Sequence, residues 1–298
     1  MKILVTGAAG FLGRHLAAGA ASYGQVIAVV RGSSDISGAF VIERVDLCDR
    51  GAVRLLFERW RPDVVLHAAA RVAQSTKEDI YTFFDDNVRA TINIYHYAQV
   101  AGTRRVVFSS SMSVYGRPKA LPVNEDHLVD PSTPYALSKI QGEHVGRFYA
   151  AGGLQTTVLR YSGIFGTGQH FGAVPTFITR CLRNDHLVLT AGGRPSSDFV
   201  WVQDVVRANL LTLQYDQPRS FEVLNIGSGT ELTVAQLASM IRDLCGSRSA
   251  IQLSDDDSPR DFRFSYDISK AREQLGYAPT SVRTALETCI SQKVYAQS

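Results

Sequence analysis

The sequence predicts an α/β protein: a doubly wound parallel sheet with a smaller C-terminal α/β part docked on it. Three observations carry that prediction. Short runs rich in Val and Ile alternate with stretches of helical apolar spacing, the pattern of parallel strands covered on both faces. The first run ends in a glycine loop, Gly7-Ala8-Ala9-Gly10-Phe11-Leu12-Gly13, that opens a helix. After Arg160 the rhythm changes, and glycine and turn residues crowd 163–172 and 191–197.

In chain order, Ile3-Leu4-Val5 is the first strand and 12–22 the first helix. Strands follow at 26–30 and 40–45, a helix at 52–60 and a fourth strand at 64–66. A long helix is expected over 81–100, then a strand at 105–109, a helix opening near Tyr135 and a sixth strand at 156–160. Further helices are expected near 174–183, 203–213, 234–244 and 268–275. No internal repeat or low-complexity segment interrupts this order. We expect a dinucleotide-binding domain over 1–160 and a mainly substrate-binding part over 161–298, with crossovers back to the sheet because no clean linker separates them.

Composition narrows the function classes. Hydrophobic residues at 45% and charged residues at 20% suit a soluble globular protein. A formal charge of +3 without a basic run argues against nucleic acid. No apolar stretch is long enough to span a bilayer, and the N-terminal strand is too short for a signal peptide. Cys48, Cys181, Cys245 and Cys289 are far apart in sequence, with no Cys-x-x-Cys. They read as free thiols in a reducing cytoplasm, and their spacing offers no metal site.

In its strand–loop–helix–strand context the glycine loop predicts a Rossmann-like dinucleotide site. Glycines permit the tight turn and let backbone N–H groups approach a pyrophosphate at the helix N-terminus. The end of the second strand faces the adenosine ribose. An Asp or Glu there would favour NAD, but the residue is Arg31, followed by Gly32-Ser33-Ser34. A guanidinium pairs with a 2′-phosphate, and the Ser33 hydroxyl can add a hydrogen bond, so NADP is favoured with NAD possible. The competing reading is a solvated Arg31 with Asp35 on the ribose. Asp46-Leu47 follows the third strand, where an Asp can reach the adenine amino group. The small residues Ala68 and Ala69 leave room for a cofactor against the backbone. His67 beside them reads as a packed or cofactor-lining residue.

Tyr135 and Lys139, one helical turn apart, are the candidate proton-transfer pair. Pro134 suits a first helical position, and Ser132 or Thr133 could cap it. An ammonium beside a phenol favours the phenolate, so the pair predicts a Tyr135 pKa lowered from about 10. Such a group serves hydride chemistry on an alcohol or ketone. By itself the spacing is also that of an ordinary surface contact.

Together these motifs resemble the extended short-chain dehydrogenase/reductase group, the NAD-dependent epimerase/dehydratase family that acts on nucleotide-diphosphate sugars. The resemblance covers essentially the whole chain. It rests on Thr6-Gly7-x-x-Gly10-x-x-Gly13, Asp46, His67-x-Ala69-Ala70, Asn87, 109–116, Tyr135-x-x-x-Lys139, Leu159-Arg160-Tyr161, 198–205, 225–229 and 267–271. It implies that Ser111 hydrogen-bonds the reacting sugar oxygen and Tyr135 transfers the proton. Lys139 would lower the Tyr135 pKa and contact the nicotinamide ribose. Gly7, Gly10, Phe11, Leu12 and Gly13 would line the pyrophosphate, with Ser109 and Asn87 also beside the cofactor. A homodimer is implied, through helices 81–100 and 134–151 packed as a four-helix bundle.

Departures from the family pattern narrow the reaction. Relatives that dehydrate carry Asp-Glu after the catalytic Ser/Thr; here those positions are Met112 and Ser113, so dehydration and the related decarboxylation are disfavoured. Two reactions remain: epimerisation, usually at C4, and NADPH-dependent reduction of a 4-keto-6-deoxy sugar nucleotide. Many relatives have an Asn where Gly163 stands and an Arg where Ser197 stands, both on the nucleotide diphosphate. Arg194, Arg260 or Arg263 is expected to supply that charge, with Ser111 and Met112 on the sugar side. A non-catalytic dinucleotide sensor or a scaffold would need no Ser111, Tyr135 and Lys139, so an enzyme is the expectation.

Overall fold

The computed structural model describes residues 1–32, 36–72, 79–254 and 262–292. The first half lays down β1 (Lys2–Thr6), α1 (Phe11–Ala20), β2 (Gln25–Val30), β3 (Phe40–Arg44), α2 (Arg50–Trp60) and β4 (Val64–His67). Next come α3 (Ile80–Phe83), a wide π-helical segment (Phe84–Arg89) and α4 (Ala90–Val100). Then β5 (Arg105–Ser111) runs into a 3-10 turn (Met112–Tyr115), and α5 (Pro134–Ala151) leads to β6 (Gln155–Tyr161).

The C-terminal half is more broken. It holds β7 (Gly163–Phe165), α6 (Ala173–Arg183), β8 (Leu187–Leu189), β9 (Ser196–Trp201) and α7 (Val202–Thr212). After these come β10 (Phe221–Ile226), β11 (Glu231–Thr233), α8 (Val234–Leu244), β12 (Ile251–Leu253), α9 (Ser269–Leu275) and α10 (Val282–Ser291).

The main sheet has seven strands in the order β10-β6-β5-β4-β1-β2-β3, and every neighbouring pair is parallel. β4 lies at the centre with β1 beside it, and the chain winds outwards in one direction through β2 and β3 and in the other through β4, β5 and β6, which leaves a crevice at the carboxyl ends of the strands between β1 and β4. The period of two along each strand sorts its side chains between two cores. Ile3, Val5, Val26 and Ala28 face Leu16, Ala17 and Val205 of α1 and α7. Leu4, Ile27 and Val29 face Val53, Phe57 and Ile94 of α2 and α4. Each buried Val, Leu, Ile or Phe among these contributes roughly 1.5–3 kcal/mol.

A third core, including Phe165, Ile178, Leu189, Leu237 and Leu286, holds the smaller C-terminal part together. Its strands are short: β11-β9-β7 form one small sheet and β12-β8 another. The chain returns from this part to the main sheet at β10, which pairs with β6. Glu222, inside β10, interrupts the apolar run there and pairs with Lys270 at 2.9 Å.

The helix expected over 81–100 starts at Ile80 and is widened at Phe84–Arg89. That widening turns Asn87 into the interior, where it is buried.

Candidate active site

The crevice begins at the glycine loop. A Cβ on Gly13 would lie 2.0 Å from the Gly7 carbonyl oxygen, and one on Gly7 would lie 2.7 Å from the Ala69 Cα. Both positions therefore require glycine, and the turn packs directly on the Ala68–Ala69 backbone that follows β4. Gly10 caps α1 with no side chain, and the first turn of α1 carries no acidic residue. Its N–H groups and the positive end of the helix dipole are thus available to an anion. Ala68 and Ala69 are half-buried and small. These features fit a dinucleotide pyrophosphate.

The residues expected at the adenosine end of a dinucleotide are Arg31, Asp46 and Leu47. Arg31 follows β2 with its side chain 67% exposed, and its Nη1 lies 3.5 Å from Asp86 Oδ1. Asp86 also pairs with Arg71 at 2.7 Å. Asp46 is exposed and accepts a hydrogen bond from the Cys48 N–H at 3.0 Å, while Asn93 Nδ2 donates to the Leu47 carbonyl at 2.8 Å. Ser33, and Asp35 with it, lies outside the described residues.

Ser111, Tyr135 and Lys139 come together across β5 and α5. Thr133 caps α5 by accepting from the Ala136 N–H at 3.1 Å, and Pro134 opens the helix. Lys139 is buried and donates to the Ser109 carbonyl at 2.8 Å. Its Nζ lies 5.7 Å from the Tyr135 ring centroid. Ser111 ends β5 and accepts from the N–H and the hydroxyl of Ser113 at 3.2 and 3.0 Å.

The protonation of the pair differs from the sequence expectation. Burial pushes the Tyr135 phenol up to about 12, against the lowering effect of a Ser111 hydrogen bond. Burial also pushes Lys139 down to about 8, with the Glu143 carboxylate holding it up. A phenolate lowered by Lys139 is therefore not what this structure has. Loss of solvent outweighs the neighbouring charge at the half-buried Tyr135 and at the buried Lys139.

A string of hydrogen bonds fixes where the pair sits. The Ala69 N–H donates to Thr6 Oγ1 at 3.1 Å, and Thr6 Oγ1 lies 2.7 Å from His67 Nδ1. His67 Nε2 lies 3.1 Å from Thr91 Oγ1, which donates to the Asn87 carbonyl at 2.7 Å. These partners assign a neutral ring with its proton on Nε2. Asn87 takes up the string from there: its Oδ1 accepts from the Arg71 N–H at 2.7 Å, and its Nδ2 donates to the Arg71 carbonyl and to Ser138 Oγ. Ser138 then donates to the Tyr135 carbonyl at 2.8 Å. The Asn87 amide, expected beside the cofactor, is engaged in tying the loop after β4 to α5.

Burial pushes His67 down to about 3, and the Lys139 charge acts in the same direction. The folded value lies below the ordinary 6.5, so the unfolded chain takes the proton first. Stability should fall as pH drops from about 6.5 towards 3, by a total on the order of 4 kcal/mol. Thermal melts between pH 7 and 4 test this against His67→Gln, which cannot take the proton. The variant should lose stability less steeply; equal slopes would remove His67 from the acid response.

Two buried clusters near the crevice were not singled out by spacing. Glu143, one turn past Lys139, binds Arg160 through both oxygens at 2.6 and 3.0 Å and accepts from Ser110 Oγ at 2.6 Å. Arg160 also donates to the Tyr115 hydroxyl, which donates to Asn225 Oδ1, each at 2.8 Å. Asp198, fully buried, accepts from Ser162 Oγ, from the Ser228 and Gly229 N–H groups and from the Tyr266 N–H. It knots β9 to the ends of β6 and β10. The i, i+4 spacing of Lys139 and Glu143 was the available signal for the first cluster.

On the substrate side, Met112 is half-buried, and its Sδ lies 3.9 Å from Ser197 Oγ. Arg194 is exposed. Arg263 grips Glu231 through two nitrogens at 2.7 and 2.8 Å, which pushes the Glu231 carboxyl down to about 2. Arg260 lies outside the described residues.

Comparison with known proteins agrees with this geometry. Residues 3–227 match the model of the NAD dependent epimerase/dehydratase family. A Methanocaldococcus jannaschii protein, provisionally named a UDP-glucose 4-epimerase, is 33% identical over 294 residues, 93% of each chain. The Thermotoga maritima UDP-glucose 4-epimerase, solved with UDP-glucose, superposes with a TM-score of 0.90 at 30% identity over 98% of each chain. The Bacillus cereus UDP-glucuronic acid 4-epimerase, solved with UDP-glucuronic acid and NAD, gives a TM-score of 0.87 at 27% identity over 100% of this chain and 99% of its own.

Proposed function

The chain belongs to the NAD dependent epimerase/dehydratase family, and we propose that it epimerises a nucleotide-diphosphate sugar, at C4, by reversible oxidation at a single sugar carbon. The observation that carries this reading is the meeting of Ser111, Tyr135 and Lys139 beside the glycine loop, with Met112 and Ser113 where dehydrating relatives place carboxylates. The dinucleotide supplies the hydride acceptor, and its oxidised ring adds a positive charge that favours a phenolate.

The protein's own groups do the rest. Ser111 Oγ, held by Ser113, positions the sugar oxygen. Tyr135 takes the hydroxyl proton from that oxygen and later returns one. Lys139, anchored on the Ser109 carbonyl with its Nζ 5.7 Å from the Tyr135 ring centroid, would add to the charge favouring a phenolate once the dinucleotide is bound and would contact the nicotinamide ribose. Residues 1–160 serve mainly the cofactor and 161–298 mainly the sugar nucleotide. Exposed apolar side chains on the helices of the 81–100 and 134–151 regions, Tyr81, Ile92, Val100 and Phe148, support a homodimer across those helices. Four free cysteines support a cytoplasmic location. Among the described residues no helix is long and apolar enough to cross a membrane.

Arg31 supports NADP as the cofactor, since a guanidinium rather than a carboxylate follows β2. Asp86, already 3.5 Å from Arg31, repels a 2′-phosphate and narrows the margin over NAD. Arg31→Ala should weaken NADP by about fivefold, the size of an exposed ion pair of ~1 kcal/mol, and leave NAD unchanged. Equal losses for both cofactors would remove the 2′-phosphate from the account.

Arg31 also favours a second reading, net reduction of a 4-keto sugar nucleotide by NADPH. Mass spectrometry of the copurifying dinucleotide, followed by a nucleotide-sugar panel with and without NADPH, separates the two. Epimerisation predicts interconversion without added reductant. Turnover that consumes NADPH stoichiometrically would replace it with the reductase.

A further inference from the structure

His15, one turn into α1, engages segments distant in sequence through both of its ring nitrogens. Its Nε2 lies 2.9 Å from the Thr167 carbonyl oxygen, and its Nδ1 lies 3.1 Å from Gln203 Nε2. A carbonyl oxygen accepts and an amide nitrogen donates, so the ring is neutral with its proton on Nε2. The ring also stands perpendicular to that of Phe11, the first residue of α1, with centroids 5.7 Å apart. We propose that His15 is a positioning residue. It sets the register between α1, whose N-terminus fits the dinucleotide pyrophosphate, and the segment 163–169 on the sugar-nucleotide side. The proposal rests on the nucleotide-sugar reading above.

The place of that segment follows from the sheet. Tyr161 is the register partner of Ser111, and β7 starts two residues later. β7 then leaves the main sheet and runs parallel to β9, with Phe165 opposite Trp201. A Cβ on Gly166 would lie 2.4 Å from Val202 Cγ1, so glycine lets the chain pass the start of α7 closely. The turn is closed on itself. The Gln169 N–H donates to the Gly166 carbonyl at 3.2 Å, and Gln169 Nε2 donates to the Ile164 carbonyl at 3.1 Å. Beyond it, Thr167 Oγ1 donates to Gln292 Oε1 at 2.5 Å, just past α10. Residues 164–169 thus form one tied unit, joined by Thr167 to α10 on one side and to α1 on the other.

The reaction distance makes this register matter. Hydride transfer needs the two reacting carbons about 3–3.5 Å apart, and a misplacement of about 1 Å can cost about a hundredfold in rate. α1 and α7 are already packed together through Leu16, Ala17 and Val205. His15 adds a directional link from α1 to the chain that follows β6, next to Ser111.

Hydrogen exchange of the amides in 163–172, read by mass spectrometry on the full chain, tests this beside steady-state kinetics. His15→Ala should exchange about fivefold faster there, the effect of one ordinary hydrogen bond. Its kcat on the nucleotide sugar should fall about tenfold or more, with dinucleotide affinity unchanged. A sugar deuterated at C4 should show a larger isotope effect with the variant than with wild type. His15→Gln, whose amide places an N–H donor where Nε2 stands, should recover both exchange and kcat. His15→Asn, whose shorter amide stops at the position of Nδ1, should behave like His15→Ala. Wild-type exchange or wild-type kcat in the Ala and Asn variants would overturn the proposal, as would a loss that Gln does not recover. The two readings fail separately. If the wild type turns over no nucleotide sugar, the epimerase reading falls, and the exchange series alone decides whether His15 holds the segment. If turnover is observed and His15→Ala leaves it unchanged, the role of His15 alone falls.

Discussion

Tyr135→Phe should lower turnover by roughly two to four orders of magnitude, the contribution of a positioned proton-transfer group. The substitution removes one hydroxyl and keeps the ring that packs edge-on against Phe83 at 6.4 Å. Dinucleotide affinity and thermal stability should therefore stay near wild type. The alkaline side of the wild-type pH profile has a separate origin. Lys139 is held near 8, so its charge is present below that pH and lost as pH rises through it. The ratio kcat/KM should accordingly fall above about pH 8. Stability moves the other way: the unfolded Lys, with its ordinary value of 10.5, binds more protons than the folded one between about 8 and 10.5. Folding stability from this group therefore rises with pH across that window. Steady-state assays of wild type and variant on the same nucleotide sugar check the assignment; near-normal turnover in Tyr135→Phe would remove Tyr135 from proton transfer.

Glu143→Gln should be the most destabilising single substitution near the site, at about 3–5 kcal/mol. Both Glu143 and Arg160 are buried, at 3% and 5% exposure, and their pairing is bidentate. Without the carboxylate, Arg160 keeps its charge in a low-dielectric interior with Tyr115 as its remaining hydrogen-bond partner. At roughly 2–4 °C per kcal/mol, the melting temperature should drop by about 6–20 °C. Replacing both partners in Glu143→Gln/Arg160→Met should recover part of that loss, because no uncompensated charge is left. A second readout is specific to the site. Glu143 raises the Lys139 pKa, so its loss should move the alkaline fall in kcat/KM to lower pH. An unchanged melting temperature together with an unchanged pH profile would contradict this role.

The sheet was legible because its residues obey simple periods. Strands such as Ile3-Leu4-Val5 and 26–30 carry β-branched and aliphatic side chains on both faces, which only a doubly covered sheet accommodates. The glycine loop was legible because steric demand at Gly7 and Gly13 leaves no other residue possible. β10 and α10 were not legible in the same way. Glu222 breaks the apolar run of β10, and α10 shows its buried stripe of Val282, Ala285, Leu286 and Cys289 only once its neighbours are known.

The site divides along the same line. Spacing brings out Tyr135 and Lys139 as candidates, the resemblance adds Ser111, and the fold gathers all three. The direction of the Tyr135 shift escaped it, since spacing shows which charge is near but not how much water is lost. The resemblance alone points to Asn87, and in the fold its amide is engaged by Arg71 and Ser138, contacts between distant segments that sequence does not display. His15 joins α1 to the Thr167 carbonyl, a meeting that no local pattern announces.

Epimerisation by this site requires that one sugar carbon be oxidised and reduced again in place, with Tyr135 moving the proton. Proton NMR of the anomeric region, with the purified chain and a panel of UDP-hexoses and UDP-hexuronic acids, tests it most directly. One member should convert to its C4 epimer until the two reach equilibrium, with no net change in the dinucleotide redox state and a rate at least a hundredfold lower in Tyr135→Phe. An absence of epimer formation across the panel, or equal rates in wild type and variant, would contradict it.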